Sequence, residues 1–215
     1  MRRRVGAVLL LAIVLLLLVF RTSIIRLSNE VIFDPGGRYD PRSLDYMGVI
    51  YSNRSDIYAY HNGYSTTTDC PWGFVHNGID YHFKNNSLVI AAAPGYVEYV
   101  GWRINPDTTV NLYNIFVFVR FNVSVVLMYT FEPFTHVEGD HLRQLDMLLV
   151  KEGDWVQKGD PIGSFLHVED GAHIHFGVTV NHEWVDPEPF FGDSDRLELL
   201  SLIHSYHPDW EISYP

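Results

Sequence analysis

The chain has 215 residues, 47% of them hydrophobic and 14% aromatic, with a formal net charge of −11. That length and apolar content support one ordinary folded domain plus an attachment segment, and exclude a disordered chain. Five arginines and no acidic residue precede Glu30, so the remainder carries ten basic against 26 acidic residues, a net of −16, which excludes a nucleic-acid surface built on clustered Lys and Arg. A neutral or cationic substrate suits such a surface better, although the excess charge also simply keeps a domain soluble. The high aromatic content favours a β-rich fold. The lone Cys70 cannot form an internal disulfide, so the fold rests on its core.

In chain order, residues 1–26 ("MRRRVGAVLLLAIVLLLLVFRTSIIR") hold the apolar run Val5–Phe20 behind three arginines. The run is slightly short for a hydrocarbon core of roughly 30 Å. A signal anchor is expected rather than a cleaved signal peptide, because no A-x-A pattern follows. Positive charge ahead of the run keeps the N-terminus in the cytoplasm and places the acidic domain outside it, at the cell surface or in the periplasm. Three N-x-S sequons, at Asn53, Asn85 and Asn122, are compatible with that exposure.

Residues 27–45 are rich in Pro, Gly and charge and read as a stalk or lead-in. A β-rich domain is expected over 46–192. "LVIAAAPGYVEYVGW" places two apolar runs around a turn at Pro94-Gly95. "NLYNIFVFVRFNVSVVLMYTF" reads as a hairpin with strands Leu112–Phe121 and Val123–Phe131, reversing near Asn122. "VKEGDWVQKGDPIGSF" sets Gly153-Asp154 and Gly159-Asp160 at turns, and "AHIHFGVTVN" alternates as a strand. Over 193–215, Leu197, Leu200 and Ile203 give an amphipathic helix with an acidic start, ending before Pro208 and covering the sheet.

Two stretches carry candidate chemistry. In "HNGIDYHF", His76 and Asp80 are four apart, and on a continuous strand they share a face. Gly78 between them leaves room for a metal or substrate to approach the backbone. In "GAHIHFGV", His173 and His175 are two apart and also share a face. Neighbouring strands of this kind supply three ligands for a tetrahedral zinc and one spare imidazole for acid–base or oxyanion work. Ordinary strand histidines satisfied by hydrogen bonds give the same pattern. His136, His141, His182, His204 and His207 lack it and read as surface or core residues.

The chain resembles the lysostaphin-like (LytM-type) zinc peptidases, the duplicated hybrid motif fold, over about residues 70–191. "HNGIDY" looks like the family's H-x-G-x-D signature, and "AAAPGYVEYVGW" resembles the strand and turn that follow it. "VKEGDWVQKGDPIG" is similar to its G-D turn region, "AHIHFGV" to its H-x-H-F strand and "WVDPEPFF" to its closing V-D-P segment. The G-D turn alone also occurs in lipoyl-type domains, but Lys158 sits in a different setting from their modified lysine. The resemblance implies an all-β domain of antiparallel sheets, sandwich- or barrel-like, with a groove above the metal and a C-terminal helix. It implies Zn²⁺ held by His76, Asp80 and His175, with His173 as the catalytic histidine beside it. It further implies cleavage of cell-wall, peptidoglycan-type peptides by metal-activated water.

One motif departs from the family. Its second catalytic histidine lies in a Y-x-H motif, and here "VVLMYTFEPF" matches at Tyr129, a candidate substrate contact, but has Phe131 at the histidine position. Phenylalanine neither donates nor accepts a proton. Glu132 takes over if the backbone turns it into the site, or His136 enters from the following loop. Otherwise the domain is a zinc-binding module, weak or silent in catalysis, that binds wall polymer or regulates another hydrolase. The long segment 131–148 is a candidate flap whose Glu132, Glu138 and Asp140 favour a cationic ligand.

Overall fold

A computed structural model describes residues 44–106 and 108–215. The strands are β1 (Ile57–Tyr60), β2 (Tyr64–Ser65), β3 (Ile79–Phe83), β4 (Leu88–Ile90), β5 (Gly95–Ile104) and β6 (Tyr113–Arg120), then β7 (Val125–Glu132), β8 (Trp155–Val156), β9 (Pro161–Ser164), β10 (His173–Val180), β11 (Glu183–Val185) and β12 (Ser213–Tyr214). Among the described residues two α-helices accompany them, α1 (Asp140–Asp146) and α2 (Asp193–Tyr206). Seven strands pair antiparallel in the order β1-β3-β10-β7-β6-β5-β8, and β11 adds to β10 to complete a curled eight-stranded sheet. Of the expected sandwich- or barrel-like arrangements of antiparallel strands, the structure has the barrel-like one, a single large curled sheet, joined by two small sheets, β4-β9 and a parallel pair, β12-β2. One correction is α1, which lies in the segment expected to form a flap.

Strict alternation divides the central strands into two faces. Ile79, Tyr81 and Phe83 of β3, Ile115, Val117 and Val119 of β6, Leu127, Tyr129 and Phe131 of β7, and Ile174, Phe176 and Val178 of β10 are all fully buried. This is the core face. The chain before β1 helps close it, since Met47 and Ile50 are buried there and Gly48 N donates to Ala92 O at 2.7 Å. On the opposite face the same strands carry Asp80, Asn114, Thr130, His173 and His175.

The hairpin β6–β7 reverses where the sequence indicates. The Asn122 side chain accepts from the backbone N–H groups of Ser124 (2.9 Å) and Val125 (2.8 Å), which closes the turn. Both G-D turns form alike. Gly153 (φ +95°) and Gly159 (φ +89°) adopt the left-handed conformation, and Asp154 and Asp160 accept from Lys151 N and Gln157 N.

The C-terminal helix α2 lies where expected, but with a different inner face. Leu199, Leu202 and Ile203 are buried, while Leu197 is 62% exposed. Its N-cap is Gly192, without a capping side chain. Arg54 bonds Ser201, and Tyr206 Oη donates to Ile57 O at 2.8 Å, which fastens the helix to β1. No helix among the described residues is long and apolar enough to cross a membrane; the run Val5–Phe20 lies outside those residues, as does the lead-in up to residue 43.

Candidate metal centre and its groove

Strand register assembles the site. His175 stands directly opposite Asp80 of β3 and Thr130 of β7, and His173 stands opposite Glu132 of β7. All five therefore project from the face opposite the core. His76 reaches the same place from outside β3. The expected continuous strand from His76 to Asp80 is not formed, because His76 makes an isolated bridge with Ser65 and β3 begins at Ile79.

Three donor groups converge. His175 Nδ1 lies 2.9 Å from Asp80 Oδ1 and 3.1 Å from His76 Nε2. His76 Nε2 lies 3.3 Å from Asp80 Oδ2. Ligands bound tetrahedrally to zinc at about 2.0–2.2 Å stand roughly 3.3 Å from one another, so the donor set fits that ion. His76 Nδ1 is 2.7 Å from the Gly63 carbonyl, which can only accept. Nδ1 therefore carries a proton, which leaves Nε2 as the atom that would offer its lone pair to a metal once deprotonated. Asp80 Oδ2 accepts from Asn62 Nδ2 at 3.0 Å. Such outer hydrogen bonds fix ligand orientation at metal sites.

Charge at the centre is set by burial and pairing. Burial opposes the Asp80 carboxylate, but His173, His76 and the hydrogen bonds from His175 and His76 outweigh it and hold its carboxyl well below the usual range. Burial likewise opposes charge on His76 and His173, and the Asp80 carboxylate outweighs it, so both imidazoles are raised above their ordinary value. His82 behaves differently. Burial, with His173 and His61 adding repulsion, pushes it down to about 3. It is a neutral ring packed 5.3 Å from His173.

His173 does not complete the triad. Its Nδ1 donates to Gly171 O at 2.7 Å, and its Nε2 lies 3.7 Å from Asp80 Oδ1 and 3.9 Å from Glu132 Oε2. It thus stands beside the donor triangle with Nε2 facing Asp80 and Glu132. His76, His173, His175 and Glu132 line a groove of about 1140 Å³, together with Arg103, Trp184 and the rings of Tyr99, Phe116 and Phe118.

Gly78 serves the site differently from expectation. A Cβ there would meet His175 Cε1 and Nε2 and the Phe176 carbonyl, each at 2.6 Å. The missing side chain makes room for the His175 ring itself. Gly78→Ala is expected to displace that ring and weaken zinc binding about 10–100-fold, as outer-shell losses do. Competition with a chelator of known affinity measures this.

Two expectations on β7 are corrected. Tyr129 cannot touch a substrate in the groove. It is fully buried on the core face, where its hydroxyl accepts from Ala92 N at 2.7 Å. Phe131 shares that face, fully buried with its ring 6.4 Å from that of Phe165. A histidine at 131 would enter the core rather than the groove. The groove-facing residues of β7 are Met128, Thr130 and Glu132. Glu132 needs no unusual turn of the backbone; regular alternation delivers it. Phe131→His is accordingly expected to destabilise the fold by about 2–5 kcal/mol, through lost apolar packing and a buried polar ring, without raising activity. Thermal denaturation reads the first effect.

The other candidates lie elsewhere. His136 is exposed and pairs with Glu169 at 3.4 Å. No residue from 133 to 149 lines the groove. Asp140 bonds Thr135 Oγ1 and Arg143, both at 2.6 Å, and His141 stacks on Tyr113 at 4.4 Å, so the segment packs beside β6 as α1. Cys70 does not line the groove either.

Sequence reasoning missed the supporting residues Asn62, Gly63, Asn111 and Asn114. One signal was present. The tripeptide His-Asn-Gly occurs twice, at 61–63 and 76–78. The second copy carries the candidate ligand His76 and the clearance at Gly78; the first supplies Asn62 behind Asp80 and Gly63 behind His76.

Among solved structures, the chain is similar to a zinc-containing peptidase from Vibrio cholerae (23% identity, 69% of this chain and 41% of that one, TM-score 0.46). It is also similar to a putative peptidase M23 from Pseudomonas aeruginosa (23%, 68% and 54%, TM-score 0.39) and to the catalytic domain of lysostaphin from Staphylococcus simulans (23%, 62% and 91%, TM-score 0.41). The first two are longer proteins, of which this chain spans about half. No curated protein matches the chain. The model of peptidase family M23 matches residues 74–187, more than half of the chain. The protein belongs to peptidase family M23.

Proposed function

We propose that the protein is a zinc metalloendopeptidase, anchored in a membrane by its apolar N-terminal run and acting outside the cytoplasm on peptidoglycan-type peptide bonds. The observation that carries this reading is the convergence of His76, Asp80 and His175 beside His173 and Glu132 in an open groove. His76, Asp80 and His175 would hold the ion. When bound there, zinc supplies Lewis acidity toward a peptide carbonyl and lowers the pKa of a coordinated water.

The rest falls to the chain's own residues. Glu132 is positioned to take a proton at Oε2, on the side facing His173. His173, with Nδ1 tied to Gly171, presents Nε2 to the groove and in its protonated form donates there to developing negative charge or to a leaving amine. The groove accommodates an extended peptide beside these two groups. The acidic surface and the arginine-led apolar run support an address outside the membrane.

The full-length protein, loaded with zinc, is expected to release soluble label from dye-labelled peptidoglycan, and a chelator to stop it. Zinc binding without release would favour the module that binds wall polymer or regulates another hydrolase. The residue that spoke for that alternative, Phe131, lies in the core, and Glu132 occupies the groove-facing position.

A further inference from the structure

Glu132 is held by two amides that the reaction does not require as reactants. Asn111 Nδ2 donates to Oε2 through a short hydrogen bond, and Asn114 Nδ2 donates to Oε1 at 3.3 Å. Asn114 lies in β6 one residue before Ile115, which pairs with Phe131, so it stands alongside Glu132 across the sheet. Asn111 comes from the loop ahead of β6. Both are nearly out of solvent, 3% and 8% exposed.

Each amide meets only part of its hydrogen-bonding capacity. The Oδ1 atoms of Asn111 and Asn114 are buried with no hydrogen-bond partner among the described residues. A buried acceptor without a donor costs stability, and apolar residues of similar size would avoid that cost. Two such residues flanking one carboxylate in the groove are poorly explained as architecture. They are well explained as orientation devices. Neutral donors fix a carboxylate's plane without placing the positive charge of a Lys or Arg partner beside it. Gripping one oxygen each, they leave the second lone pair of Oε2 toward His173.

We propose that Asn111 and Asn114 are positioning residues that aim the Glu132 carboxylate at the proton it accepts. The role rests on the peptidase reading above, with Glu132 as proton acceptor. Misplacement of a reacting group by about 1 Å costs on the order of 10²-fold in rate. Asn111→Ala and Asn114→Ala are therefore each expected to lower kcat by roughly 10–100-fold with little change in KM.

The test is a double-mutant cycle on the zinc-loaded full-length protein, with dye-labelled peptidoglycan as the probe. Residues that act only through Glu132 lose nothing further in a Glu132→Gln background. An equal fold-loss in both backgrounds, or an effect confined to KM, overturns the proposal and leaves the peptidase reading standing. A second measurement needs no activity. The side-chain amide protons of Asn111 and Asn114 should resonate downfield in NMR spectra of the wild type and move on Glu132→Gln. Amide resonances that ignore that substitution overturn the clamp. An inactive wild type with responsive amides would overturn the peptidase reading and leave the grip on Glu132 intact.

Discussion

Saturating zinc is expected to raise the melting temperature of the metal-free protein by roughly 8–16 °C, because ligand at 1,000 times its dissociation constant stabilises by about 4 kcal/mol and a domain of this size gains about 2–4 °C per kcal/mol. Asp80→Asn should remove most of that rise. Asp80 is 3% exposed, its carboxylate touches the imidazoles of both His76 and His175, and it is the only anionic member of the candidate donor set. Asparagine keeps the shape and loses the charge. Its loss should weaken zinc binding by more than the roughly 10–100-fold of an outer-shell change. The variant should also be less stable without metal, since His76 and His173 then lack the anion that favours their charged forms. An undiminished zinc response in Asp80→Asn would place the ion elsewhere.

The size of the rise depends on pH, and its sign follows from the shifts. His76 and His173 are raised above their ordinary value of about 6.5. In the metal-free protein they therefore contribute stability that is complete below that value and is lost as pH rises through their raised pKa. The Asp80 carboxyl is depressed, so its contribution persists across this range and is lost only in stronger acid. Zinc requires deprotonated imidazoles and works in the opposite direction. The gap between the zinc-loaded and metal-free melting temperatures should thus widen from pH 5 to pH 8. Thermal scans with and without zinc measure it, and a constant gap would rule out the histidines as ligands.

The candidate site was legible to the extent that it followed from alternation. His173 and His175 share a face because they are two apart on a real strand, and their register with Asp80 and Glu132 gathers the site. The hairpin turn at Asn122 and the turns at Gly153 and Gly159 were legible because those residues have local conformational reasons to be there. The burial of Phe131 was not legible in motif spacing, which carries no information on strand parity. The parity that places Leu127 and Tyr129 in the core places Phe131 there too, and it sends Glu132 outward. The helix face was misjudged for a related reason: Leu197 satisfies the apolar period, but packing against β1 selects Leu199, Leu202 and Ile203. Asn62, Asn111 and Asn114 were invisible because their roles depend on contacts that no local pattern encodes.

Glu132→Gln should lower kcat by on the order of 10²–10⁴-fold, the range supplied by a positioned acid or base, while zinc content and melting temperature stay close to wild type. The structure explains why chemistry and stability should separate here. Glutamine offers one acceptor oxygen where the carboxylate offers two, so one of its two Asn partners would face its amide group donor to donor. Asn111 and Asn114 each hold an unused buried Oδ1. Turning over one asparagine amide lets that oxygen accept from the new Gln amide, which restores the hydrogen bond and leaves that asparagine's Nδ2, in place of its Oδ1, as the unpaired group. The fold therefore has a ready way to absorb the substitution. The reaction has none, since a neutral amide cannot accept the proton. His173→Ala should produce a loss of similar order, and the double variant should fall little further, because groups that act as a unit in one reaction do not contribute additively. A Glu132→Gln enzyme that keeps its turnover would remove Glu132 from catalysis and return the acid–base work to His173 alone. A variant that loses zinc together with activity would instead make Glu132 part of the metal centre.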